Sequence, residues 1–366
     1  MRLFLVLIYI LASVVCFAQT SVVNADTLWI HRMASTEDED LDSYFPLLKC
    51  KAKPALAERI NKTLQMEELG FVLNEQRKAS LQKQPENVDE RLNVIFTISY
   101  PNSRLIIVDI GRFERTTRMA LSGNYKYQRH YFDAVTGDPV YLKSFFTEDG
   151  FVRLNAKVTA LLRKSFIETM KKYTPEFTAS GEKAFDEECG CNCTKNIDHS
   201  FCNGSGSMDF LPGGGITYSI NSCHWMDPGN PDDHYTASFT AEQIRPLLSE
   251  YGKYLTAGGT YVTSSSPFYR VWKGNIGGKI PVTFILYASC SPGDITGLEV
   301  YDKFGTSIKM GGTFSNNRLK ISELTADGNP VAIVEATLQE GKLIGSWTKA
   351  DKSKTLAFEA VIANLF

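Results

Sequence analysis

The carboxy-terminal stretch constrains this chain most. From Tyr269 onward, β-rich runs begin near Tyr269, Lys279, Asp294, Thr306, Arg318, Val331, Lys342 and Thr355. Turn residues separate them at Gly277-Gly278, Pro292-Gly293, Phe304-Gly305, Asn316-Asn317, Asp327-Gly328, Glu340-Gly341 and Asp351-Lys352. Connections this short join antiparallel strands, because a parallel pair needs a long crossover. A row of hairpins keeps two unpaired edges unless it closes on itself. The pattern therefore predicts an antiparallel barrel of about eight strands over 268–366, free of helix.

Upstream the grammar differs. "DTLWIHRMAST" reads as a short strand, and the acidic run Glu37 to Asp40 as a solvated turn. Pro54 stands at a first helical position, and Leu56, Ile60 and Leu64 recur at helical spacing until Gly70 stops them. Leu92 to Tyr100 and Leu105 to Phe113 form a hairpin at "PNS", and "KYQRHYFDAVTGDPVYLKSFF" folds back at Thr136-Gly137-Asp138. A long helix follows, with Phe151, Leu154, Val158, Leu161, Leu162 and Phe166 along one face. "SMDFLPGGGITYSIN" turns at Gly213-Gly214-Gly215. Thr240 and Gln243 suit a capping box, while Pro246 suits a later helix start. Hairpins interleaved with helices indicate an α+β domain, an antiparallel sheet with packed helices, over 26–254, followed by a Gly, Ser and Thr linker at 255–267.

Residues 1–18 read as a signal peptide. Arg2 is followed by the apolar run Leu3 to Ala12, and Cys16-Phe17-Ala18 ends the segment on a small residue. The run falls short of the roughly 20 residues of a membrane span, and no second such run follows. Lipid attachment at Cys16 needs a small residue before it, where Val15 stands. The expectation is an exported, periplasmic or secreted protein without an anchor. With 39 basic and 41 acidic side chains interspersed, for a net charge of -2, nothing points to a nucleic-acid partner.

Export also governs the cysteines. After cleavage Cys50, Cys189, Cys191, Cys193, Cys202, Cys223 and Cys290 remain, an odd number. Cys189, Cys191, Cys193 and Cys202, with His199, could ligate a metal, but structural zinc uses pairs spaced C-x₂₋₄-C, and an oxidising compartment favours disulfides. Cys202 and Cys223 flank the two arms of the Gly213 hairpin and are the preferred pair. The pairing of Cys189, Cys191 and Cys193 is left open.

The loop "CHWMDPGNPDDHY" is the most site-like. His224, Asp227, Asp232, Asp233 and His234 are suitable metal ligands, with His224, Asp232 and His234 the leading set. The same Pro, Asp, Asn and Gly content equally describes an exposed connection. "LPGGGIT" lacks the lysine and context of a phosphate loop, and "LIGSW" lacks the nucleophile elbow. His130 beside Arg129 and Tyr131 is a candidate acid or base on a strand whose alternate residues face solvent. Tyr269, Trp272, Tyr287, Tyr301 and Trp347 could line a barrel mouth or simply fill the core. No catalytic set emerges, and no cofactor is expected.

The order "YFPLL", "AERINKTL", paired strands, "YFDAVTGDPVYLKSFF", long helix, "MDFLPGGGITYSI", "FTAEQIRPLL" resembles the extracytoplasmic module of RsiV-type anti-sigma factors and the non-catalytic part of the peptidoglycan deacetylase PdaC. The barrel, with "G-x-W" and "YDKFGT", resembles small β domains of exported bacterial proteins of unknown role. The first resemblance implies an α+β fold and, in the RsiV type, lysozyme binding. The chain departs from it in lacking a sigma-binding part, a membrane span and a deacetylase domain, and in inserting the cysteine and "CHWMDPGNPDDHY" loops. The expected function is non-enzymatic recognition of a lysozyme-like cell-wall hydrolase or a cell-wall glycan. The alternatives are a metal-dependent envelope hydrolase using the loop His and Asp residues, and a small-ligand-binding barrel. Non-reducing peptide mapping should recover Cys202 joined to Cys223; a free thiol at either removes that pairing.

Overall fold

A computed structural model describes residues 24–32, 41–73, 91–115, 124–173, 201, 206–211, 213–221, 234–258, 260–262, 264, 266–289, 291 and 293–363. Strands β1 (Asn24–Arg32) and β2 (Leu41–Lys49) pair antiparallel. Helix α1 (Pro54–Leu64) starts on its proline and runs into a π-helical turn, Gln65–Leu69, which ends on Gly70 at φ 68°, a left-handed conformation that glycine adopts without strain.

Next comes a four-stranded antiparallel sheet, β3 (Arg91–Asn102), β4 (Leu105–Arg115), β5 (Asn124–Asp133) and β6 (Pro139–Val140). Its central strand β4 is apolar on both faces because both are covered. Ile106, Val108 and Ile110 pack with Leu56, Ile60 and Leu64 of α1, whereas Leu105 and Ile107 join the larger core on the other side. That second core is roofed by α3 (Glu148–Tyr173), which follows the short α2 (Leu142–Phe145). Phe151, Leu154, Val158, Leu162 and Phe166 of α3 are buried. Leu161 departs from expectation: it lies at the edge of the apolar stripe and is 38% exposed.

A three-stranded sheet completes this unit, β7 (Ser207–Phe210), β8 (Ile216–Asn221) and β9 (His234–Phe239). The capping box and the proline start both occur. Thr240 and Gln243 cap α4 (Ala241–Ile244), and Pro246 opens a 3₁₀ turn, Arg245–Leu247, before α5 (Glu250–Ala257).

The eight remaining strands form a closed antiparallel barrel: β10 (Val271–Ile276), β11 (Ile280–Ala288), β12 (Asp294–Tyr301), β13 (Ser307–Ser315), β14 (Arg318–Leu324), β15 (Pro330–Gln339), β16 (Lys342–Lys349) and β17 (Thr355–Ile362). Closure runs through β10 and β17, with Gly274 opposite Ala360. Trp272, Phe284, Ile321, Val334, Leu343 and Phe358 fill the interior. Gly297 also faces inward, where a side chain would meet the Ile285 carbonyl at 2.7 Å. Outward positions carry exposed Lys273, Lys309, Lys320, Glu335 and Glu359, the reverse of a membrane barrel's apolar exterior. Among the described residues, no helix is long and apolar enough to cross a membrane.

Truncating Phe284 inside the barrel to alanine should cost about 3–5 kcal/mol in denaturant unfolding, whereas Leu161→Ala should cost about 0.5 kcal/mol. Equal losses would contradict the placement of Leu161.

Candidate functional site at the junction of the two units

The π-helical turn delivers three side chains to the junction. Met66 packs on Val271, Ile285 and Val300, outward-facing barrel residues that the α+β unit covers. Beyond Gly70 the chain is stitched to the barrel's β12–β13 turn. Val72 N–H donates to the Gly305 carbonyl at 2.7 Å, Ser307 N–H donates to the Gly70 carbonyl at 2.8 Å, and Phe71 bridges Thr306.

Glu67 is the hub. One of its carboxylate oxygens lies 3.0 Å from His130 Nδ1 on β5, and the other accepts from Tyr287 Oη of the barrel at 2.6 Å and from the Tyr141 hydroxyl. Glu68 Oε1 takes the second imidazole nitrogen, Nε2, at 2.7 Å. The Tyr141 ring stacks on Tyr269 at 4.8 Å and meets Tyr287 edge-on at 5.1 Å, so aromatic surface seals the polar centre. Burial pushes His130 down, but the hydrogen bonds and charges of Glu67 and Glu68 outweigh it and raise its pKa to about 9. Burial likewise pushes Glu67 up, and hydrogen bonding to His130 and the tyrosines reverses this, holding it below the usual carboxylate range. Both imidazole nitrogens are thus engaged by carboxylates, an arrangement that locks a cation in place.

A second cluster lies alongside. Asp138 receives Arg59 at 2.7 Å and Arg270 of the barrel at 2.9 Å, while Arg59 also donates to the Ala363 carbonyl at the barrel's end. Asp133 accepts from Tyr251 Oη at 2.9 Å and from the Val135 amide at 2.7 Å. The recess between Asp133, Asp138, Tyr251 and Arg270 amounts to about 10 Å³, room for a water molecule and no substrate.

Two further arrangements stand apart. On the face of β3, β4 and β5 that also carries Leu105 and Ile107, Thr97, Asp109 and Arg129 form a row. Arg129 Nε donates to Asp109 at 2.6 Å, Nη1 to Asp209 of β7, and Nη2 to Tyr127 Oη at 3.2 Å. Inside the barrel, Glu323 Oε1 accepts from Trp347 Nε1 at 2.5 Å and from Tyr301 Oη at 2.9 Å, with Glu299 beside it.

The structure redistributes the sequence candidates. His130 is not a solvent-facing acid or base: its side chain is 11% exposed and clamped by two carboxylates, because α1 and its π turn cover that face of β5. The aromatic set is split, with Tyr269 and Tyr287 in the junction, Trp272 in the barrel core, and Tyr301 and Trp347 at Glu323. Cys50 is buried with a free thiol. His234 opens β9. The acidic run Glu37 to Asp40, Cys189, Cys191, Cys193, Cys202, Cys223, Cys290, His199, His224, Asp227, Asp232 and Asp233 lie outside the described residues.

Sequence reasoning missed Glu67, Glu68, Asp138, Glu299 and Glu323. Glu299 and Glu323 did leave a signal: they occupy the inward parity of Ile295-Gly297-Glu299 and Leu319-Ile321-Glu323. The junction left one too, since β11, "IPVTFILYA", is buried at five consecutive positions, as only a strand covered on both faces is.

No family model and no curated protein match the chain. Among solved structures it is similar to a DUF3298 family protein from Pseudomonas aeruginosa PAO1, with 9% identity, a TM-score of 0.35, and coverage of 63% of this chain and 95% of that one. It is also similar to a member of the DUF3298 family from Bacteroides fragilis, with 13% identity, a TM-score of 0.40 and the same coverage.

The junction makes stability depend on pH. His130 is raised from 6.5 to about 9, so its contribution is complete below pH 6.5 and disappears as pH rises through 9. Glu67 is lowered from 4.5, so its contribution holds above pH 4.5 and fades as pH falls through its depressed value. Urea unfolding should therefore show maximal stability between those limits and a loss on the order of 2 kcal/mol by alkaline pH, flattened in His130→Gln. A profile that rises toward pH 9 would contradict the assignment.

Proposed function

We propose that the chain is an exported, non-enzymatic binding protein of the bacterial envelope that recognises a lysozyme-like cell-wall hydrolase or a cell-wall glycan. Three things support this reading. The amino-terminal segment has the features of a cleavable signal. The order of segments resembles the lysozyme-binding module of RsiV-type anti-sigma factors and its counterpart in PdaC. The observation that carries it is the Arg129 row.

Arg129 is held between Asp109 and Asp209, and Tyr127, 48% exposed, lies beside it on the same sheet face. Tyrosine and arginine dominate the energetics of protein interfaces, and a side chain already fixed by ion pairs loses little entropy on binding. Thr97 and Asp209, both exposed, flank the row with a hydroxyl and a carboxylate that a glycan or a basic protein surface can meet.

Calorimetry of the mature chain against lysozyme and against soluble peptidoglycan fragments tests the reading. Binding to one of them is expected, weakened by about tenfold or more in Tyr127→Ala. No heat with either ligand removes the proposal. Metal analysis of the same protein separates it from the hydrolase alternative, which requires stoichiometric metal lost in His224→Ala and His234→Ala.

A further inference from the structure

We propose that the barrel end bounded by the turns at 277–279, 302–306, 325–329 and 350–354 binds a small organic cation, a protonated amine, through Glu299 and Glu323 beneath Tyr301 and Trp347. Both glutamates face inward on adjacent-but-one strands, β12 and β14, and are almost wholly buried, 1% and 3% exposed. Around them the inward positions are apolar, from Val282 and Ile295 to Met310 and Val334, and the basic residue at inward parity on the described barrel strands, Lys349 at the end of β16, is 53% exposed and pairs with Asp351. The barrel thus encloses two acidic groups and supplies no counter-charge. Carboxylates buried in this way destabilise a fold unless something compensates them.

Their hydrogen bonding is unequal. Glu323 is served by Trp347 at 2.5 Å and by Tyr301 at 2.9 and 3.1 Å. Glu299 shares a hydrogen bond with Glu323, and its Oε2 is buried with no donor among the described residues. An orphaned acceptor beside a satisfied carboxylate is a vacant position for a donor, and the natural donor for a buried acidic pair is positively charged. Burial, then the adjacent Glu323, pushes the Glu299 carboxyl up, so without ligand the pair retains a proton.

Access and chemistry agree. Tyr301 and Trp347 are only partly buried and lie toward the same barrel end as the two glutamates. Indole and phenol rings form favourable walls for an ammonium group. The donor set suits a metal less well: Tyr301 and Trp347 already occupy lone pairs of Glu323, leaving too few oxygens for calcium or magnesium, and no imidazole or thiolate for zinc. Because the cation replaces the shared proton, its affinity rises with pH.

The test titrates the mature full-length chain with n-butylammonium chloride, and in parallel with magnesium and calcium chloride at matched ionic strength, at about pH 6 and about pH 8. Tryptophan emission and Tm are read together. A saturable response to butylammonium is expected, with a Tm rise of about 3–6 °C at tenfold the Kd. It should be tighter at the higher pH and weakened by about tenfold in Glu323→Gln and in Glu299→Gln. Trp347→Phe should lose the emission signal while keeping a Tm response, and if Glu323→Gln fails to fold, Glu299→Gln carries the test alone. No saturable response at either pH, a response that follows the divalent cations instead, or one unchanged in Glu299→Gln would overturn the proposal.

Discussion

A carboxylate held away from water must be met by donors on all sides, and the way Glu67 meets that requirement organises the molecule. Its partners come from three places in the chain: His130 from the four-stranded sheet, Tyr141 just before α2, and Tyr287 from the barrel. None can move without leaving a buried acceptor or cation unpaired, a loss of about 3–5 kcal/mol for a broken buried ion pair. The π turn makes this possible by placing Glu67 and Glu68 on either nitrogen of one imidazole while Met66 reaches the barrel wall.

The neighbouring contacts reinforce the same junction by independent means. Arg59 ties α1 to Asp138 and to the Ala363 carbonyl directly after β17, Arg270 reaches Asp138 from the barrel side, and the Phe71–Val72 segment extends the β12–β13 turn. Charge, backbone pairing and apolar packing thus converge on the outer face of β10, β11 and β12. With the junction locked, the two proposed recognition surfaces are the Arg129 row of the sheet and the barrel end at the 277–279, 325–329 and 350–354 turns, which hold unlike chemistries.

Much of this architecture was readable from local signals. The barrel strands begin within about two residues of the positions that their turn residues mark, because a two-strand hairpin is decided by the few residues at its turn. The start of α1 at Pro54, its end at Gly70 and the Thr240 capping box are likewise local. The junction was not readable, since His130 meets Glu68 across 62 positions and Tyr287 meets Glu67 across 220, and no spacing rule spans such distances. Alternation along β5 suggested a solvent-facing histidine because it reports which side of a strand a residue occupies and not what covers that side. Glu299 and Glu323 sit between these cases: their inward parity is written in the sequence, but their proximity is set by barrel closure.

Differential scanning calorimetry at about pH 6 tests the junction most directly, because two units welded through a shared buried ion network melt together. The predicted result is a single cooperative transition for the native chain that separates into two in Glu67→Gln, with the barrel melting independently. Two resolved transitions in the native chain, or one unaltered transition in Glu67→Gln, would contradict the central role of Glu67.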